Sequence, residues 1–206
     1  MPGILRTLFV LTLVASQTLA AEPRVLFEDS FDEKLGEGWT WLREEPTSWR
    51  IADGALEILV QTGKADSVKN ALVRTAPDRS QSHYAVEVTV TFASPPIQQY
   101  EQGGITWYYR QKPVFKLVHE NIDGAQWIIP GHVPAPSKTV QLRLLVQGSQ
   151  WTAQFREDLQ GEFITAATGE LPPPGEDQIS LQCYDGPPNA RHWIRFDNFR
   201  ILQLSD

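Results

Sequence analysis

The chain has a single cysteine, Cys183, and a single methionine at its start. One cysteine cannot close an intramolecular disulfide, so the fold must be held by its core, with or without a metal. Cys183 lies in "ISLQCYD", in phase with Ile179 and Leu181, which reads as a small buried core residue. Positive charge is also scarce. Eighteen Lys and Arg face 25 Asp and Glu, a net charge of −7, with no basic run. Nucleic-acid binding rests on neutralising phosphates, and anionic membrane surfaces make the same demand, so both are excluded as expected partners. No amphipathic helix follows residue 21, and no apolar run is long enough to span a bilayer comfortably.

The first 21 residues stand apart. "MPGILRTLFVLTLVASQTLA" carries Arg6, an apolar run from Leu8 to Ala15, then the small residues Ser16, Ala20 and Ala21. This is the order of a secretory signal peptide, with cleavage expected after Ala20 or Ala21. The expected product is a secreted or periplasmic protein, residues 22–206, with no membrane insertion after cleavage. That length suits one domain able to bury a real core.

Period-two patterns fill this segment. "AVEVTVTF" places Val86, Val88, Val90 and Phe92 on one face and Glu87, Thr89 and Thr91 on the other. "VQLRLLV" and "WTAQF" alternate likewise, and "QGSQ" between them reads as a hairpin turn. About a dozen such runs, separated by Gly, Pro and Asp, predict an all-β, two-sheet antiparallel jelly-roll sandwich. In "HWIRFDNFRILQL" the apolar phase slips at Asp197-Asn198, which predicts a bulge that re-aims Asp197.

Familiar catalytic signatures are missing. The four histidines show no metal-ligand spacing, and no nucleophile elbow, phosphate loop or dinucleotide fingerprint occurs. "EQGGI" leads into a strand, so its glycine pair has no helix N-terminus with which to hold an anion. What remains is "EQGGITWYYRQKPVFKLVHENIDGAQW", residues 101–127. Phe115, Leu117 and His119 form the more apolar face of the second strand. Lys116 and Glu120 share the other face with Val114 and Val118. Across the hairpin, Tyr108 or Arg110 is expected beside Lys116, with Trp127 as a rim platform or a core residue. An aromatic ring covers the C–H face of a sugar, and charged groups bond its hydroxyls. The plainer reading is a solvated ion pair above ordinary core aromatics.

"FEDSF", "W.IADGALEI", "EQGGITWYY…FKLVHE" and "FDNFRI", in this order, resemble concanavalin A-like lectin/glucanase jelly rolls. The likeness is nearest to the secreted uncharacterised family similar to the C-terminal domain of bacterial β-xylosidases. It implies a concave sheet that binds a poly- or oligosaccharide. It also implies a structural Ca2+ where the chain ends pair, held by Glu28, the backbone at Asp53-Gly54, and Asp197. The E-x-D-x-x-E strand of the glucanases is absent. The expectation is therefore a monomeric carbohydrate-binding domain using Tyr108, Arg110, Lys116, Glu120 and Trp127. The alternative is a glycoside hydrolase, 3-keto-glycoside hydrolase or polysaccharide lyase of the same fold, with Glu120, His119 and Lys116 as acid/base candidates. A further alternative is a structural or protein-binding envelope domain.

Overall fold

The computed structural model describes residues 22–205. The expected signal peptide, residues 1–21, lies outside them. Fifteen strands follow: β1 Arg24–Asp29, β2 Thr40–Leu42, β3 Trp49–Ala52, β4 Ala55–Leu59, β5 Ala71–Thr75, β6 Tyr84–Phe92, β7 Gln102–Tyr109 and β8 Lys112–Ile122. The series continues with β9 Ala125–Ile129, β10 Val133–Pro134, β11 Thr139–Gln147, β12 Gln150–Arg156, β13 Ile164–Glu170, β14 Asp177–Tyr184 and β15 Trp193–Gln203. One 3₁₀ turn, Pro46–Ser48, is the helical element among the described residues.

The strands form two sheets. One runs β13-β12-β11-β6-β15-β4-β3, with β1 along the second half of β15; the other runs β10-β9-β8-β7-β14-β5-β2. We call them the β6 sheet and the β7 sheet. The pairings are antiparallel, as the alternating patterns require. Val86, Val88 and Val90 of β6, with Val140, Leu142 and Leu144 of β11, meet Ile105, Trp107, Leu117, Ile179 and Leu181 of the β7 sheet in one core cluster. Each such aliphatic side chain contributes about 1.5–3 kcal/mol by leaving water. Cys183 is fully buried there, as its phase predicts, and burial pushes its thiol pKa up.

Several local expectations hold in detail. β11 and β12 form a hairpin with Gln147 opposite Gln150, and Gly148 supplies the positive φ of the turn. β1 pairs with β15, so the two ends of the described chain meet. The β15 register breaks between Asp197 and Arg200, where Asn198 has a φ of 51°. The glycine pair in "EQGGI" is a packing device: a Cβ on Gly104 would strike the Leu117 carbonyl of β8, and one on Gly103 would stand 2.8 Å from Ile194 Cδ1.

One buried group was not legible in the sequence. Arg79 comes from the loop before β6 and is 1% exposed. Its Nε donates to Asp177 Oδ2 at 2.7 Å, and its Nη atoms reach the carbonyls of Gly148 and Pro172. Trp107 Nε1 donates to the other Asp177 oxygen at 2.8 Å. This network ties the loop before β6 to β7, β14 and the β11–β12 turn.

Candidate functional site

Strand alternation decides which way Lys116 points. Leu117 and His119 face the core, so Lys116, Val118 and Glu120 stand on the outer face of the β7 sheet. Lys116 Nζ donates to Gln102 Oε1 at 2.7 Å and to Glu120 Oε2 at 2.8 Å. Gln102 in turn donates to the Tyr100 carbonyl. The Lys116 side chain keeps 32% of its exposure, and its ammonium lies 6.0 Å from the Tyr184 ring. Trp127 is directly opposite Glu120 in the β8–β9 register and half-buried, with its ring edge-on to His132.

Thr106 is the residue across from Lys116. It is 1% exposed, and its Oγ1 is buried with no hydrogen-bond partner among the described residues. Thr106, Lys116 and Tyr184 line a recess of about 370 Å³, walled by Ala65 on one side and by Ile129 and Pro130 on the other. Asp185 follows Tyr184 at the end of β14 and has no hydrogen bond or ion pair among the described residues. Burial raises its pKa, the Glu120 charge adds to this, and Lys116 and Lys64 oppose it. Two acids from different strands are thus brought within electrostatic range of one lysine.

Three sequence candidates take other places. His119 is fully buried in the core, its ring 4.9 Å from that of Phe92, so it cannot act on a ligand beside Lys116 and Glu120. Arg110 is exposed at the β7–β8 turn with a φ of 49°, over the Tyr109 ring, and is not beside Lys116. The turn at Arg110-Gln111 sets Tyr109 opposite Lys112 and Tyr108 opposite Pro113, and past the register shift between Trp107 and Tyr108 it is Thr106 that meets Lys116. Tyr108 itself is 1% exposed, and its hydroxyl lies 2.7 Å from the Ala65 carbonyl and 3.1 Å from Gln182 Oε1. It pins the 60–70 loop over the sheet and offers a ligand almost no surface. Glu101 is also structural. It is fully buried, paired with His192 Nδ1 at 2.8 Å, and accepts the Ile97 and Gln98 amides.

A larger recess, about 690 Å³, lies where β2, β5 and β14 meet the β7–β8 turn. Two of its three acids are engaged, and the third, Glu176, is exposed with no side-chain partner among the described residues. Asp177 is held by Arg79 and Trp107, and Asp78 by Ser80. The smaller recess differs in having a buried hydroxyl, that of Thr106, with no partner among the described residues.

At the chain ends, Glu28 is exposed in β1 opposite Arg200. Asp197 accepts the Asn198 amide at 2.6 Å; burial raises its pKa, and the nearby charge of Asp32 adds to the shift. Asp32 Oδ1 stands 3.5 Å from where a Cβ on Gly54 would be. Asp32 therefore joins Gly54 and Asp197, an acid the sequence reading did not include. Glu28 does not complete a three-acid cluster, and none of that size occurs among the described residues. Two mutually repelling carboxylates beside a backbone turn fit a hard cation in donor type, with Asp32 standing where Glu28 was expected.

No protein-family model matches the chain, and no curated protein does. Among solved structures it is similar to the GH43 protein BlXynB from Bacillus licheniformis, with a TM-score of 0.67 and 20% identity over 85% of this chain and 39% of that one. It is likewise similar to a xylan β-1,4-xylosidase from Bacillus halodurans, with a TM-score of 0.63 and 16% identity over 92% of this chain and 41% of that one. The fold they share with this chain is a two-sheet antiparallel β-sandwich. A third likeness, to the CBM2 module of the evolved Dit of Lactobacillus casei phage J-1, covers 91% of this chain and 99% of that one, with a TM-score of 0.57 and 10% identity. The chain spans about two-fifths of the two bacillar proteins, and identities this low carry the fold alone.

Proposed function

We propose that the protein binds a glycan in the recess between Thr106, Lys116 and Tyr184. The observation that carries this reading is the Thr106 hydroxyl, buried and unpartnered on the recess floor opposite Lys116. Leaving such a group unmatched costs about 1–3 kcal/mol, which a ligand hydroxyl would recover. Lys116 adds a donor, held in place by Glu120, while Tyr184, Ile129 and Pro130 offer surface to sugar C–H groups. The volume lies within the range of ligand pockets, about 300–1,000 Å³. Glycan-directed proteins among the similar structures support the reading. Thr106→Val and Lys116→Ala should each weaken retention on a glycan array while the folded spectrum is kept. Full retention by both variants would remove the site.

Asp185 favours a second reading, glycoside hydrolysis. A partly buried acid with a raised pKa, facing an ionic Glu120–Lys116 pair, has the asymmetry that acid/base cleavage uses. Reducing-sugar release that disappears in Asp185→Asn, with binding retained, would establish it. We further propose that Ca2+ is held by Asp32, Asp197 and backbone oxygen near Gly54.

A further inference from the structure

The outer face of the β6 sheet carries a lattice of arginines. Arg50 and Arg195 flank Glu57, and Arg143 and Arg200 flank the fully buried Glu87. Each of these guanidiniums shares a carboxylate. Arg156 differs. Its Nε donates to Gln141 Oε1 at 2.7 Å, its Nη1 donates to the Gly161 carbonyl, and it has no acidic partner among the described residues. Arg200 also has spare capacity, since its Nε is buried and unpartnered.

The two meet around one recess of about 320 Å³, on the opposite sheet from the Lys116 site. Thr89 and Gln141 also line it, 7% and 4% exposed, and lie side by side in the β6–β11 register. Leu159, 39% exposed, provides an apolar wall. The exposed Glu28 stands at the rim, which disfavours a doubly charged anion such as phosphate.

We propose that this recess binds a uronic acid-type sugar, with its carboxylate on Arg156 and Arg200. A planar carboxylate matches the guanidinium fork. The amide of Gln141 and the hydroxyl of Thr89 suit sugar hydroxyls, and Leu159 suits the C–H face of the ring. A neutral sugar would leave Arg156 without an acidic partner. This site is independent of the Lys116 recess.

The test is to follow arginine Nε–H signals by proton–nitrogen NMR while adding D-glucuronate or D-galacturonate, with D-glucose and acetate as controls. The Arg156 and Arg200 signals should shift and saturate with a uronate, and Arg50 and Arg195 should stay in place. Arg156→Gln and, as a milder variant, Thr89→Val should keep the dispersed amide spectrum and weaken the response, the former roughly tenfold. Lys116→Ala should leave the response unchanged. Equal shifts with acetate, uniform shifts of all the arginines, the absence of saturation, or loss of the response in Lys116→Ala would each overturn the assignment.

Discussion

Acid should destabilise this protein through His119. The imidazole is fully buried on the core side of β8, with Nε2 2.9 Å from the Ala135 carbonyl. A carbonyl only accepts, so Nε2 carries the hydrogen, and Nδ1 is bare and unpartnered. A second proton would place a charge and an unmet donor in the core beside Phe92. Burial accordingly lowers the pKa from 6.5 to about 4, with the Ala135 bond opposing the shift. The unfolded chain takes up this proton near pH 6.5 and the folded chain only near 4. Between those values the unfolded state holds more protons, so stability rises with pH there. The contribution is complete above about pH 6.5 and is lost as the pH falls toward 4. A shift of this size corresponds to about 3 kcal/mol, or roughly 6–12 °C in Tm for a chain of this length. Urea unfolding, followed by tryptophan fluorescence between pH 7 and 4, should show this slope in the wild type. His119→Leu should be less stable at pH 7, having lost the Ala135 bond, but its slope should be shallower by that amount. Other acids titrate in both proteins and cancel in the difference. Parallel curves would refute the reasoning and reopen a chemical role for His119.

Arg79→Ala should lower stability by about 3–5 kcal/mol, because Asp177 stays buried without its cation; urea midpoints should also show that adding Asp177→Asn costs less than the sum of the single changes. Lys116→Ala should raise the Asp185 pKa further, since Lys116 lowers it in the wild type, and a carboxyl carbon NMR titration that shows no rise would contradict the arrangement. Because the folded pKa of Asp185 exceeds the unfolded one, its contribution is full below about pH 3.8 and is lost as pH rises through the elevated value. If Ca2+ sits at Asp32 and Asp197, a hundredfold excess over Kd should add about 2.7 kcal/mol. EDTA should lower Tm and Asp32→Asn should abolish the response, whereas a Tm unmoved by either calcium or EDTA would remove the site.

The faces of single strands were legible, and the neighbours of those strands were not. Alternation alone put Phe115 and Leu117 on one side and Lys116 and Glu120 on the other, and the phase slip at Asp197 announced a real bulge. In β14 the same alternation sets Tyr184 on the face opposite Cys183. Nothing local says that β14 lies beside β7, so Tyr184 and Asp185 could not be joined to Lys116. The turn falls at Arg110-Gln111, which keeps Tyr108 and Arg110 away from Lys116, and the bulge between Trp107 and Tyr108 then sets Thr106 opposite it. Arg79 reads as a loop arginine because its partners are 69 to 98 residues away.

Pairing separates the polar groups that build this fold from those available for chemistry. Glu57, Glu87, Glu101 and Asp177 are buried, and each is answered by an arginine or a histidine. Removing one partner from such a set strands a charge, so these groups are fixed by stability. Thr106 Oγ1, Arg200 Nε and the Asp185 carboxyl have no such answer among the described residues. Arg200 still pairs with Glu87 through Nη2, and Thr106 and Arg200 line separate recesses on opposite sheets. On the β7 sheet, the role of Asp185 turns on a single quantity. If its proton reaches the bridging oxygen of a sugar held at Thr106 and Lys116, the recess cleaves; if Asp185 only faces Glu120 across the lysine, the recess holds. Asp185→Asn separates the two, because it removes the proton donor and leaves Thr106, Lys116 and Glu120 in place to bind.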